Sequence, residues 1–201
     1  MAARADGRSV PVMIGRPETP TTAYPTGFEA DVVLREGSAV HIRPVRAADA
    51  AAIADFMRGL SLDSIELRFF GIPNLDWAVS WSIDVDYADR FALVAETGSP
   101  SRIVAHAAYI RIDPGRAEVA FLVADAWQGR GIATIMLRRL AEAARQHGIL
   151  SFVAEVLPAN HRMIEVFRDS GFPVSTRSIP GEVDVEIATS RRPGAVLGFP
   201  T

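Results

Sequence analysis

Along the chain, short runs of alternating apolar and polar residues give way to longer runs with helical spacing, and then return. Asp31 to Leu34 and Ala39 to Arg43 flank Arg35 to Ser38, which predicts a hairpin. Asp49 to Leu60 is an alanine-rich helix. Ser61 and Asp63 offer caps for a second short helix, with Asp63 and Glu66 at capping-box spacing, and Asn74 can start a third. Arg90 to Glu96, Arg102 to Ile112 and Arg116 to Ala124 are β-rich runs separated by Gly98-Ser99-Pro100 and Asp113-Pro114-Gly115, the pattern of an antiparallel meander. The clearest helix follows. Ala133, Met136, Leu137, Leu140, Ala141 and Ala144 share one face, and Thr134, Arg138, Glu142 and Arg145 share the other, so this helix lies on a sheet. Leu150 to Leu157 reads as a buried strand. Asn160 caps a helix that Gly171 can end, and Phe172 to Arg177 with Glu182 to Thr189 form a last hairpin. Strands, helices and strands in this order predict an α/β (α+β) fold, a mixed and mostly antiparallel sheet with helices on both faces.

Outside this pattern the periodicity fails. Residues 1–27 mix glycine, proline, threonine and small residues and read as a flexible leader; residues 28–190 form one domain; residues 191–201 read as a linker or tail, which leaves open a further domain beyond it. A chain of 201 residues suits one well-buried core. The net charge of -3 gives no general pull toward nucleic acid. No cysteine is present, which excludes disulfides, cysteine metal sites and a cysteine acyl-enzyme. No apolar run approaches a membrane span, and Val10 to Ile14 is too short and proline-broken for a signal peptide, so the expected compartment is the cytoplasm.

The chemistry concentrates at residues 117–134, where an apolar strand passes through a glycine-bearing turn into the clearest helix. Such a turn presents backbone N–H groups without intrahelical partners, and the helix dipole favours a phosphate or diphosphate there. Gly129, Gly131 and Thr134 meet two of the three positions of a dinucleotide G-x-G-x-x-G fingerprint, with Glu155 beyond the usual acidic spacing, and no P-loop run exists. A better fit is Q/R-x-x-G-x-G/A, matched in turn by Gln128, Gly129, Arg130, Gly131, Ile132 and Ala133. This resembles the acyl-CoA diphosphate loop of the GNAT family of N-acetyltransferases. The likeness extends over most of residues 31–189, including Phe121, Leu122 and Val123 at the strand end and the later run from Asn160 through Met163 and Phe167 to Gly171-Phe172.

The resemblance implies acetyl-CoA as co-substrate and no metal. It also implies that Phe121, Leu122 and Val123 meet the pantetheine arm and that the turn amides from Gln128 to Thr134 meet the diphosphate, with Arg130 adding charge. Asn160 would bond the pantetheine or its water, unless it is an ordinary helix cap. Phe167 stands where many relatives carry a tyrosine that protonates the departing thiolate; lacking a hydroxyl, it keeps a pantetheine contact, and Tyr87 and Tyr109 are the remaining phenols considered for that proton. Asp31 to Gly37, His41 to Pro44, Leu67 to Gly71 and Ala117 to Phe121 together resemble the acetyltransferase portion of bacterial protein lysine acetyltransferases. These are often fused to an acyl-CoA synthetase-like or ligand-sensing domain, and commonly acetylate the active-site lysine of acetyl-CoA synthetase. A protein lysine is therefore the implied acceptor. A small-amine acetyltransferase and a non-catalytic acyl-CoA sensor are the alternatives.

A lysine amine with a pKa of about 10.4 arrives protonated and needs a base. Glu118 opens the strand whose far end meets the cofactor, and in similar lysine acetyltransferases the glutamate of this segment is that base. Direct attack in a ternary complex is the expected route. His41, His106, His147 and His161 lack metal-ligand spacing and read as structural or surface residues. Trp77 and Trp81 suit a packing face, although with Leu67 to Leu75 they also suit a groove for a protein substrate. Asp84, Asp86 and Asp89 read as a solvated loop, because the glycine and distal glutamate of a calcium loop are missing.

Overall fold

The computed structural model describes residues 23–191 together with an antiparallel pair of two-residue strands, β1 (Arg4–Ala5) and β2 (Arg8–Ser9). Most of the expected leader, and the expected tail beyond Arg191, lie outside the described residues. The leader's last residues are described. Tyr24 stacks edge-on against Tyr87 at 5.8 Å under the Arg46 guanidinium, and Phe28 is buried against Phe91.

The main elements are β3 (Ala30–Val33), β4 (Ala39–Pro44), α1 (Ala50–Arg58), α2 (Leu62–Phe69), α3 (Leu75–Ile83), β5 (Arg90–Thr97), β6 (Arg102–Asp113), β7 (Arg116–Val123), α4 (Ile132–Gln146), β8 (Ser151–Val156), α5 (His161–Arg168), β9 (Val174–Ile179) and β10 (Glu182–Ala188). The eight strands from β3 onward form one sheet in the order β3-β4-β5-β6-β7-β8-β10-β9. Neighbours run antiparallel except β7 and β8, which are parallel because α4 crosses over between them. The expected fold class, hairpins and meander are those observed.

Apolar side chains cover both faces. On one, Phe91, Tyr109 and Phe152 pack under Met136, Leu137 and Leu140 of α4; on the other, Val94, Ala108 and Leu122 pack under Ile53, Phe56 and Met57 of α1. This is why Phe91 to Ala95 and Ile103 to Tyr109 read as unbroken apolar runs: central strands buried on both faces have no solvent side. Ser61, Asn74 and Asn160 cap their helices through side-chain oxygens that accept from Ser64, Trp77 and Met163 amides. Ser61 is the cap of α2, and Asp63 sits in its first turn.

The Asp84 to Asp89 segment is not the solvated loop expected. Asp84 pairs with Arg90, Asp89 with Arg111, and Asp86 accepts the amides of Ala88, Asp89 and Arg90 through one oxygen. Each carboxylate thus braces the turn into β5. Among the described residues, no group of three or more histidines, cysteines or acids is placed to hold a metal ion. Nor is any helix there long and apolar enough to cross a membrane.

His106 on β6 is 3% exposed, its Nε2 3.2 Å from the Ser82 carbonyl. Burial, the largest effect, lowers its pKa from 6.5 to about 4. The unfolded chain therefore takes up this proton first as pH falls. Stability is full above pH 6.5, declines as pH drops toward about 4 and levels off below it, by about 3 kcal/mol at most. Chemical denaturation against pH should show this decline, and His106→Gln should flatten it; an equal slope in both proteins would assign the acid sensitivity elsewhere.

Candidate active site

β7 and β8 part company soon after they meet. They pair at Arg116↔Ser151, Ala117↔Phe152 and Glu118↔Val153, and no further, whereas β7 stays paired with β6 as far as Val123. The Ala124 amide donates to Val104 at 2.8 Å, and antiparallel alternation then turns the backbone groups of Val119, Phe121 and Val123 toward the β8 side. Those groups face an open seam. A cavity of about 1570 Å3 fills it, reaching from the Gln128 to Thr134 turn past Glu118 to α2.

At one end of the seam the chain turns into α4. Gly129 and Gly131 have φ of 74° and 86°, the left-handed region that glycine enters without a Cβ clash, and no side chain caps the helix at Gly131. The amides of Ile132, Ala133 and Thr134 are the helix's first-turn donors. A Cβ added at either glycine would meet no atom within 4 Å, so the space in front of the turn is empty of protein. Open donors at a positive helix end fit a diphosphate, so this turn, with the seam's backbone groups, would hold acetyl-CoA.

Two side chains from the expected cofactor set do something else. Arg130 lies 4.7 Å over the Trp127 ring with Nη1 3.4 Å from Glu36, and does not line the cavity. Its guanidinium is engaged by that aromatic face and that carboxylate. Gln128 donates to the Ser64 hydroxyl at 3.0 Å and the Val123 carbonyl at 3.2 Å, and accepts from Arg162 at 2.7 Å. It ties α2, β7 and α5 together around the turn.

Along the seam, Phe121 meets Phe167 edge-on at 6.0 Å, and Phe167 is 1% exposed, which makes one apolar wall. Leu122 points to the opposite face and is buried in the core beneath α1. Asn160 caps α5 and also lines the cavity, so both of its expected roles have a structural footing. The two phenols considered for the thiolate do not. Tyr87 donates to the Val45 carbonyl and Tyr109 to the Ala88 carbonyl, both at 2.9 Å, and neither lines the cavity. Burial, the largest effect, raises the pKa of each. Of the remaining histidines, His41 pairs with Asp31, His147 bonds the Ala143 carbonyl, and His161 lines the cavity at the start of α5.

Glu118 is exposed, lines the cavity and stands at the last rung before the strands diverge. Two residues lining the same cavity were not singled out from the sequence. Asp125 accepts from the hydroxyl and amide of Ser61 and the hydroxyl of Ser64, which hold its pKa down and fasten the start of α2 to the turn after β7. Arg68, on α2, lies over Phe69 and Trp81. Trp81 lines the cavity while packing on the core, and Trp77 packs against Phe69. Ser, Thr and Asp near a helix start hint at capping, but nothing local reveals that Asp125 holds the Ser61 cap of a helix that precedes it by some sixty residues.

A sheet open at one parallel seam, with an anion-binding helix start beside it, defines a site for a long, negatively charged ligand. The sequence matches the Acetyltransferase (GNAT) family over residues 61–172, more than half of the chain. The chain belongs to that family, whose members take an acetyl group from acetyl-CoA. Acetyltransferase Pat of Mycolicibacterium smegmatis is 31% identical over 138 residues, which are 67% of this chain and 41% of that protein. The GNAT domain of S. lividans PAT is 39% identical with a TM-score of 0.75, covering 82% of this chain and 99% of that one. A cAMP-binding acyltransferase from Mycobacterium smegmatis is 26% identical with a TM-score of 0.56, covering 82% of this chain and 49% of that one. The chain therefore spans less than half the length of either mycobacterial relative.

Proposed function

We propose that this chain transfers the acetyl group of acetyl-CoA to a lysine side chain of a protein, with Glu118 as general base and a metabolic enzyme of the acetyl-CoA synthetase type as acceptor. The observation that carries this is the position of Glu118 at the fork, in the same cavity as the glycine turn. The relatives named Pat support the protein acceptor. The name of the cAMP-binding relative supports an attached ligand-sensing domain in the longer protein.

Acetyl-CoA brings an already activated thioester, so the protein's work is holding and proton transfer. The Ile132, Ala133 and Thr134 amides take the diphosphate. Backbone groups of Phe121 and Val123 receive the pantetheine amides as a sheet edge receives an added strand. Phe167 closes the apolar wall, and Asn160 offers a polar contact beside it. The donor for charge developing on the thioester oxygen comes from the backbone amides turned into the seam, those of Val119, Phe121 and Val123, and not from that of Leu122, which is turned toward β6. Glu118 accepts the proton of the attacking amine. Phe167 has no proton to give and both phenols are committed elsewhere, so the departing thiolate is protonated from solvent.

Mass spectrometry after incubation with labelled acetyl-CoA, acetyl-CoA synthetase and a cell lysate tests this reading. Label on lysine Nε of the synthetase is expected. Label confined to small amines would make the chain a small-amine acetyltransferase, and acetyl-CoA binding without turnover on any acceptor would make it a sensor.

A further inference from the structure

The site contains a cation that the transfer as described leaves unused. Arg68 is half-buried on α2 where that helix packs against β7, and it lines the same cavity as Glu118. Its guanidinium carbon lies 4.8 Å from the centroid of the Phe69 ring and 4.8 Å from that of Trp81, two faces that attract a cation. Of the other arginines lining the cavity, Arg90 pairs with Asp84, Arg111 with Asp89, Arg116 with Asp113 and Arg177 with Asp184, and Arg162 donates to the Gln128 side-chain carbonyl. Arg68 has no carboxylate in ion-pair reach among the described residues. Desolvation lowers its pKa to about 10, and the opposing influence is the charge of Glu118. It remains a cation at neutral pH. A guanidinium without a carboxylate partner and half withdrawn from water is unfavourable, and such groups concentrate at functional sites.

We propose that Arg68 is a positioning residue for the transfer: it fixes a positive charge in the cavity it shares with Glu118, which disfavours an incoming lysine as an ammonium and keeps Glu118 ionised to take its proton. This rests on the reading that Glu118 is the base. One proton of the ammonium passes to Glu118, the freed lone pair forms the C–N bond to the thioester carbon, the C–S bond breaks with its electron pair leaving on sulfur, and the second proton, lost from the new amide nitrogen, passes to solvent, which protonates the thiolate.

The other charges around α2 leave this role to Arg68. On β7, Arg116 is held by Asp113, and at the end of α3 Asp84 is held by Arg90. Asp125 is occupied by Ser61 and Ser64, and His106 on β6 is neutral above about pH 4. Asp63 and Glu66, on α2 itself, are exposed to solvent.

The test is the pH dependence of kcat for Arg68→Met and Arg68→Lys, from about pH 6 to about pH 9.5, with a lysine peptide and with the same peptide carrying aminoethylcysteine, whose amine is less basic. Arg68→Met is expected to lose about tenfold in kcat at pH 7 and to regain most of it near the alkaline end, its acid limb displaced upward by about one pH unit. The KM for acetyl-CoA should stay within about twofold, since the bonds that tie α2 to the diphosphate turn run through Ser61 and Ser64 and not through Arg68. Arg68→Lys keeps the charge and the wild-type limb. Aminoethylcysteine should recover much of the loss in Arg68→Met and give wild-type enzyme no such gain. A profile for Arg68→Met that is scaled down but unmoved, or an Arg68→Lys that behaves like Arg68→Met, would make the residue a packing element and overturn the assignment. If Arg68→Met is not recovered folded, Arg68→Gln keeps a planar head between the rings and gives the same reading; the wild-type comparison of the two peptides needs no variant, and a large preference for the less basic amine contradicts the proposal. Wild-type enzyme inert toward every amine would instead overturn the reading on which the proposal rests.

Discussion

Glu118→Gln is expected to lower kcat by about 100- to 1000-fold, the range in which a positioned general base contributes, while the Kd for acetyl-CoA changes by no more than about twofold. The split follows from the seam. Glu118 sits at the rung where β7 and β8 separate, and the diphosphate turn begins beyond the far end of β7. Glutamine keeps the shape and the strand pairing, so what is lost is the carboxylate's capacity to take a proton. Steady-state kinetics with an acceptor peptide, beside calorimetric titration with acetyl-CoA, separate the two quantities. Undiminished turnover would remove Glu118 as the base, and a parallel loss of cofactor affinity would make it a structural residue of the seam.

The second large effect is expected at the turn. Gly131→Val should weaken acetyl-CoA binding by at least about tenfold and lower stability by about 1–3 kcal/mol. Gly131 has φ of 86° at the cap of α4, where a β-branched residue is strained, and its missing Cβ leaves open the space in front of the first-turn amides. Two causes are mixed in that variant. Gly148→Val separates them: Gly148, with φ of 74°, carries the same backbone strain beyond the other end of α4 and does not line the cavity. It should lose stability and keep affinity for acetyl-CoA. Equal affinity losses in the two variants, measured with the folded proteins, would show that strain alone accounts for the effect and that the turn has no direct part in binding.

What could be read from residues and what could not divides along the distance over which a partner acts. The apolar face of α4, the meander and the last hairpin depend on periods of a few residues, and so did the caps at Ser61, Asn74 and Asn160. The glycine turn was equally plain, because a left-handed cap and a helix start are adjacent in the chain. Glu36, the partner of Arg130, comes from the β3–β4 hairpin, and no spacing announces that. Asp89 looked solvated for the same reason, its arginine lying on β6. Tyr109 is committed by a bond to the Ala88 carbonyl, a partner 21 residues earlier in the chain that no local pattern announces. Which backbone groups of β7 face the seam depends on the pairing register, which alternates direction with every residue and so turns on knowing the partner strand. Arg68 sat inside a run already noted for its likeness to protein acetyltransferases, but its two aromatic neighbours come from α2 and α3, and its carboxylate neighbour from β7.

The fork between β7 and β8 leaves the sheet unfinished on one side. A ligand whose amides complete that edge, and which has no affinity for the unfolded chain, adds about 2.7 kcal/mol at a hundredfold excess over its Kd. Resistance to heat and to proteolysis should then rise and fall with the supply of the acetyl donor, so that the enzyme persists when acetyl-CoA is plentiful and is cleared sooner when it is scarce.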